Sequence, residues 1–163
     1  MRRERRGEVD DPAVVLAAAM RFLEARSRSI AEVRRRLTGA GYRADLVEGA
    51  ISRLAELGVL DDEAFARGWV ESRDRARPRG ERALRQELAR KGIDREVTDE
   101  TLADREVDLP NADAEAAARL LDRHAAALAR VVDPRARRQR AYALLARNGF
   151  DPDVAAALTR SIS

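Results

Sequence analysis

Apolar residues recur along the chain at the three- and four-residue spacing of amphipathic helices. Ile30, Val33 and Leu37 follow this spacing in one segment, and Leu84 and Leu88 follow it in another. Side chains three and four positions apart lie on one face of a helix, so each segment has one apolar face to bury. β-branched residues are sparse, strict alternation is weak, and alanine, leucine, glutamate and arginine dominate. The pattern therefore predicts an all-α fold.

A glycine with fixed hydrophobic neighbours occurs three times. A leucine lies four residues before it, a hydrophobic residue follows it directly, and another lies five residues beyond it; the glycines are Gly41, Gly92 and Gly149. Glycine is favoured in the left-handed position after a helix end, where a side chain is penalised. The intervals of 51 and 57 residues between these glycines indicate three repeats.

Each repeat has room for three helices. Asp11-Pro12, Asp133-Pro134 and Asp151-Pro152 each place an N-cap acceptor before a proline, and Ser29 with Glu32 forms a capping box. The predicted helices are 12–26, 30–39, 44–57, 62–76, 81–90, 95–103, 113–131, 134–147 and 152–161. Because a repeat of this size buries little surface alone, we expect three tandem three-helix repeats in an elongated, curved arrangement.

The predicted domain limits follow from these elements. We expect a disordered basic tail at 1–10, repeats at 11–60, 61–106 and 113–163, and an acidic linker at 107–112. Residues 94–115 carry nine acidic and two basic residues and include Pro110-Asn111, so the wider segment 104–115 is the predicted flexible joint.

The composition argues against catalysis. Cysteine is absent and histidine occurs once, which removes thiolate chemistry and argues against a zinc site. No glycine-rich phosphate loop, H-E-x-x-H or G-x-S-x-G motif is present. We interpret His124 as a surface or packing residue. The longest apolar run, 13–20, is too short to cross a membrane. The sequence predicts a cytoplasmic protein with no enzyme activity, cofactor or metal.

Positive charge is unevenly distributed, although the formal net charge is only +3. Residues 26–43, 73–91 and 135–147 each carry a net charge of +5. Such patches suit a polyanion or an acidic protein surface. The alternative is that they are solvated helix faces whose arginines pair with Glu32, Glu81 and Glu87. The candidate contact residues are Arg26, Arg28, Arg34, Arg35, Arg73, Arg77, Arg79, Arg82, Arg85, Arg90, Lys91, Arg137 and Arg138.

Three segments carry a resemblance to a known family. Residues 61–73 read DDEAFARGWVESR, residues 77–80 read RPRG, and residues 84–93 read LRQELARKGI. Together they strongly resemble the RecX family, regulators of the bacterial recombinase RecA. Arg26-Ser-Arg-Ser29 with Gly41-Tyr42 is similar to the first repeat of that family, and Asn148-Gly-Phe150 is similar to its third.

The resemblance implies a function and a set of motif residues. Family members are curved molecules of three three-helix repeats that bind the groove of the RecA–DNA filament. They act in recombination and SOS DNA repair by blocking filament extension and suppressing ATP hydrolysis and strand exchange. The motif positions that carry over are Asp62, Phe65, Ala66, Trp69, Arg73, Arg77, Pro78, Arg79 and Gly80.

These motif residues divide on physical grounds. We expect Phe65 and Trp69 to pack between helices, Asp62 to cap a helix, and Gly80 to permit a tight turn. The arginines, with Arg85, Arg90 and Lys91, are binding candidates.

Two modes of contact remain open for the basic face, which could bind DNA phosphates or acidic patches on RecA. The expected partners are RecA or its DNA filament, with single- or double-stranded DNA contacted through the basic face, and the chain is expected to be a monomer. A DNA-binding regulator is the second interpretation, because three-helix units resemble helix-turn-helix domains. A passive helical scaffold is the third.

Overall fold

The computed structural model describes residues 6–162, and the elements within that range are helices, with no strand. This arrangement confirms the predicted all-α class. The helices are α1 (Pro12–Leu23), α2 (Ile30–Ala40), α3 (Ala44–Glu56), α4 (Asp62–Ala76), α5 (Glu81–Arg90), α6 (Arg95–Asp108), α7 (Ala112–Ala129), α8 (Pro134–Arg147) and α9 (Pro152–Thr159). No helix in the described range is long and apolar enough to span a bilayer.

The helix starts depend on the capping residues that the sequence indicates. The side chain of Asp11 accepts a hydrogen bond from the backbone of Ala13 at the start of α1. Ser29 and Glu32 form the complete capping box of α2. These bonds satisfy backbone donors that have no partner within the first turn of a helix.

The three repeat glycines end helices in the left-handed conformation. Gly41 has a φ of 97°, Gly92 of 74° and Gly149 of 82°. The Gly41 amide donates to the carbonyls of Leu37 and Thr38, which closes the last turn of α2. The predicted glycine turns are therefore present at all three positions.

The chain forms two compact units. One comprises the described residues up to Ala66 together with Arg90–Asp94, and the other comprises Arg67–Ala89 and the residues from Arg95 onward. In the first unit, α1, α2 and α3 bury a core in which Val15, Val33 and Leu54 are fully covered.

The second unit has its own core among α7, α8 and α9. Ala116, Ala117, Leu145 and Ala155 are fully covered there, and Phe150 is almost fully covered. Phe150 directly follows the glycine turn, so the turn places an aromatic ring in the core. The limits of the three sequence repeats stay a prediction.

The acidic segment differs from the prediction of a joint. Helix α6 continues to Asp108, five residues beyond its predicted end, and α7 begins at Ala112. The Glu106 carboxylate accepts hydrogen bonds from the amides of Asn111 and Ala112 at 2.7 and 3.2 Å, which caps α7. Helix α6 ends just before the residue that precedes Pro110, where a helical backbone is disfavoured. Half of the predicted linker 107–112 is thus helical, and only residues 109–111 lie between the two helices.

Residues 1–5 of the predicted disordered tail lie outside the described range. Val9 packs against the core of the first unit. Asp10 forms an ion pair with Arg43. Residues 9 and 10 are therefore attached to the first unit rather than separate from it.

Candidate interaction surface

The predicted basic contact residues divide into two groups, those held by other groups of the protein and those left exposed. In the first unit, Arg34 forms a two-point ion pair with Glu48, at 2.6 and 3.0 Å. Arg26 and Lys91 both bind one oxygen of Glu32 at 3.0 Å. These three cations therefore support the fold, and the pairing with Glu32 is one that the sequence offered as an alternative to binding.

Glu32 is the most strongly perturbed carboxylate of this group. Burial would raise its pKa, but hydrogen bonds from Lys91, Arg26 and the Ser29 amide outweigh burial and lower the pKa to about 2. A lowered carboxyl pKa stabilises the folded state above the ordinary pKa of 4.5, and that stabilisation is lost as the pH falls toward 2.

We expect Glu32→Gln to lower the free energy of unfolding by about 3 kcal/mol at pH 6, since each pKa unit corresponds to about 1.4 kcal/mol. Urea denaturation of both proteins at pH 6 and pH 3 measures the difference. The difference in unfolding free energy between the two proteins should be about half as large at pH 3 as at pH 6. An equal difference at the two pH values would show that Glu32 acts by packing and not by its charge.

In the second unit, Glu87 accepts two hydrogen bonds and forms an ion pair with a third side chain. Its Oε2 atom accepts from the Nε atom of Arg73 and from the indole Nε1 of Trp69, both at 2.8 Å. Its Oε1 atom lies 3.3 Å from the Nε atom of Arg79. The Arg73 guanidinium also lies over the Trp69 ring, 4.6 Å from the ring centroid. Arg73 and Arg79 are consequently structural partners of Glu87.

The two motif aromatics differ in their surroundings. Phe65 is buried, with 7% of its surface exposed, as expected for a residue packed between helices. Trp69 is only half-buried, and its indole N–H is held by Glu87. Trp69 therefore combines partial packing with a polar anchor, which sequence spacing alone does not indicate.

Three further candidate arginines bind carboxylates or backbone carbonyls of the protein. Arg85 pairs with Glu81 at 2.8 Å and with Asp99. Arg137 donates to the carbonyl of Val131 at 3.0 Å, and Arg138 donates to the carbonyl of Ile162 at 3.3 Å.

The remaining candidates are available to a partner. Their side chains are exposed and form no ion pair within residues 6–162; they are Arg35, Arg77, Arg82 and Arg90. Arg28 is a separate case, because its guanidinium is half-buried against the Phe22 ring. The structure therefore reduces the list of thirteen basic candidates to a small exposed set and one stacked arginine.

Asp62 caps a helix other than its own. Its carboxylate accepts from the Ile30 amide at 2.9 Å, at the start of α2, whereas Asp61 caps α4 through the amide of Ala64. Burial raises the pKa of Asp62, although the bond from Ile30 lowers it. Asp62 therefore has a capping role as expected, but it caps α2 and so links the start of α4 to the start of α2.

An equivalent connection recurs in the second unit. Asp113 at the start of α7 accepts from the amide of Glu81, at the start of α5, at 3.0 and 3.1 Å. The Gly80 amide donates to the carbonyl of Asn148 at 2.9 Å. A methyl group on Gly80 would overlap the backbone of Gly149 and Phe150, so glycine is required here by close approach of two backbones.

Arg105 is a residue that the sequence reasoning missed. Only 8% of its side chain is exposed. It forms a two-point ion pair with Asp74, at 2.8 and 2.9 Å, and binds Asp113 at 2.9 Å. Residues 94–115 contain nine acidic residues and two basic ones, and Arg105 is one of the two. This imbalance is the sequence signal that could have identified Arg105 as a partner of carboxylates.

The described residues contain no group of three or more metal-binding side chains. His124 has its Nδ1 atom 3.0 Å from the carbonyl of Leu120, one turn earlier in α7.

Comparison with known proteins gives the helical architecture a family. The model of the first three-helix domain of RecX matches residues 16–54, and that of the second three-helix domain matches residues 61–102. Regulatory protein RecX of Mycobacterium ulcerans (strain Agy99) is 35% identical over 140 residues, which cover 85% of this chain and 79% of that protein.

Two further comparisons give the extent of the similarity. Regulatory protein RecX of Mycobacterium sp. (strain JLS) is 47% identical over 88 residues, 54% of this chain and 48% of that protein. The chain thus spans about half the length of this relative. The crystal structure of RecX from Lactobacillus salivarius has the same fold, with a TM-score of 0.74 and 21% identity over 94% of this chain and 97% of that one.

The helices and the two matching domain models define an all-helical protein that contains three-helix domains. The chain belongs to the RecX family.

Proposed function

We propose that this protein modulates the RecA recombinase, foremost as an inhibitor, by binding in the groove of the RecA–DNA filament. Binding there would block filament extension and suppress ATP hydrolysis and strand exchange. Membership of the RecX family supports the link to RecA, and the relatives carry the name of a regulatory protein.

The observation that carries the proposal is a pair of exposed arginines beside the start of α5, Arg77 and Arg82. Arg77 belongs to the Arg-Pro-Arg-Gly motif and is exposed, while Arg79 of the same motif is held by Glu87 and Asn148. Arg82 is exposed in the first turn of α5. Arginine suits phosphates and carboxylates because its planar fork can donate two parallel hydrogen bonds.

The backbone beside these two arginines is held in place by the fold. Arg77 lies directly after α4, in the short connection that contains Pro78 and Gly80, and Arg82 lies in the first turn of α5. Gly80 is fixed against the backbone of Asn148, which holds this connection in place. A fixed connection reduces the entropy that the arginines lose on binding.

We expect the double variant Arg77→Glu, Arg82→Glu to bind a preformed RecA filament on single-stranded DNA at least about tenfold more weakly, since charge-assisted hydrogen bonds are lost and like charges are introduced. Cosedimentation of the protein with the filament measures this. The melting temperature should stay within a few degrees, because neither side chain pairs with another described residue.

The matched control is Arg43→Glu, Arg53→Glu, which changes the charge by the same amount. Arg43 pairs with Asp10 and Asp45, and Arg53 pairs with Glu56, so both are engaged within the first unit. Equal loss of binding in the two double variants would show a general charge effect and contradict the proposed role of Arg77 and Arg82.

Binding to naked DNA distinguishes contact with DNA phosphates from contact with acidic patches of RecA. If the arginines bind phosphates, affinity for naked DNA should fall steeply with salt, by about one counterion per contact. If they bind acidic patches of RecA, binding to naked DNA should be weak at every salt concentration. Tight binding to one duplex sequence over others would instead favour a DNA-binding regulator.

A further inference from the structure

A groove in the first unit is lined by several arginines, with no carboxylate among the described residues that line it. It has a volume of about 280 Å³ and lies between the end of α1 and the last turns of α2. The lining side chains that matter are Arg6, Arg21, Phe22, Arg28, Arg36 and Tyr42. The volume is close to the lower end of the range for ligand pockets, about 300 Å³.

The arginines of this groove lack the anionic partners that other arginines of the protein have. Arg21, Arg28 and Arg36 form no ion pair with a carboxylate in the described part of the chain. The Nε atom of Arg28 is buried, with no hydrogen-bond partner there. A buried donor without a partner carries a desolvation cost, which an incoming acceptor would remove.

Stacking fixes two of the guanidiniums. The Cζ atom of Arg28 lies 4.3 Å from the centroid of the Phe22 ring, and the Cζ atom of Arg36 lies 5.5 Å from it. The ring thus holds two positive charges beside each other without an anion. Because Phe22 is already engaged by these cations, the groove is better suited to an anionic group than to stacking of a base on the ring.

The second repeat shows how the same positions are neutralised. Counting back from Gly41 and from Gly92, Arg28 corresponds to Arg79, and Arg36 corresponds to Glu87. Glu87 binds Arg79 in the second unit, at 3.3 Å. In the first unit an arginine stands where that carboxylate would be, and no carboxylate of residues 6–162 pairs with Arg28 or Arg36.

We infer that this groove binds the phosphate group of a nucleotide, either within the backbone of a DNA strand or as a free nucleotide. Several converging guanidinium groups suit the oxygens of a phosphate, and the absence of a lining carboxylate removes repulsion. The inference stands apart from the proposed action on the recombinase, because its test uses no RecA.

The decisive variant is Arg36→Glu, which places in the first repeat the carboxylate that the second repeat has. We expect it to bind fluorescein-labelled dT15 at least about tenfold more weakly at low salt, as fluorescence anisotropy would measure, with a shallower salt dependence. Its melting temperature should be equal to or higher than that of the unchanged protein, because the introduced carboxylate can pair with Arg28. Weaker binding together with an unchanged or higher melting temperature shows that the site was lost and that the fold was not damaged.

The matched control is Arg53→Glu, which changes the charge by the same amount at an exposed position of the same unit, where Arg53 pairs with Glu56. Its affinity for dT15 should stay within about twofold of the unchanged protein. If Arg36→Glu and Arg53→Glu bind dT15 equally well, or lose affinity equally, the inference is overturned.

Two competitors identify the source of the phosphate. Displacement of dT15 by unlabelled dT15 but not by ADP supports a DNA backbone phosphate. Displacement by ADP, with direct ADP binding that is also weakened in Arg36→Glu, supports a free nucleotide. Preferential binding of polyglutamate over both phosphate probes would overturn the inference and assign the groove to an acidic peptide.

Discussion

Replacing Arg105 with methionine should lower the free energy of unfolding by about 3–5 kcal/mol, the cost of breaking a buried ion pair by removing one partner. Methionine keeps the apolar stem of the side chain and removes the charge. It leaves Asp74 and Asp113 without the cation that both carboxylates bind. Burial already raises the pKa of Asp113, and the hydrogen bond from Arg105 counteracts this. Without Arg105, one carboxyl should bind a proton at a higher pH.

Urea denaturation at pH 7, followed by circular dichroism, measures the change. Arg95→Met is the control on the same helix, since 93% of the Arg95 side chain is exposed and its ion pair with Asp99 is long, at 3.8 Å. Exposed pairs contribute little, so this variant should stay within about 0.5 kcal/mol of the unchanged protein. A loss below about 1 kcal/mol for Arg105→Met would contradict an anchoring role.

Gly80→Ala should be destabilising by about 3 kcal/mol, because the added methyl group would meet backbone atoms that cannot rotate away. The substitution would force apart the contact between the start of α5 and the turn at Gly149. It would also disturb the bond from the Gly80 amide to the carbonyl of Asn148. Since Arg79 also binds Asn148, the position of the Arg77–Gly80 connection should change as well.

Gly68→Ala is a control variant that is expected to change the stability in the opposite direction. Gly68 lies in α4, and a methyl group added there would have no heavy atom of another residue nearby. Gly68→Ala should stabilise the protein by up to about 1 kcal/mol, because alanine has the higher helix propensity. Thermal melting of the two variants measures both effects. Equal melting temperatures for Gly80→Ala and Gly68→Ala would show that the close backbone approach is not rigid.

Local sequence signals predicted most of the fold. Proline, aspartate and serine at the helix starts and glycine at the ends act within one helical turn, so their effect is readable without the tertiary structure. The end of α6 was misplaced because the acidic composition of 104–115 suggested a joint. Within that segment, Asp113 pairs with Arg105 and Glu106 caps α7, and α6 continues to Asp108, two residues before Pro110.

The candidate site was harder to predict for a physical reason. Whether an arginine is available depends on partners that are distant in sequence, such as Glu48 for Arg34 and Asn148 for Arg79. The pairing of Arg73 with Glu87 also joins two helices. Sequence spacing identified the basic segments, but only the fold separates the arginines that stabilise each unit from those that remain exposed.

ATP hydrolysis by the RecA filament tests most directly whether the protein acts on that filament. A preformed RecA filament on single-stranded DNA would be titrated with the full chain, and the rate of ATP hydrolysis would be followed. We predict suppression at substoichiometric amounts of the protein, with a much weaker effect from the variant Arg77→Glu, Arg82→Glu. An unchanged hydrolysis rate with a folded chain at excess over RecA would contradict the proposal.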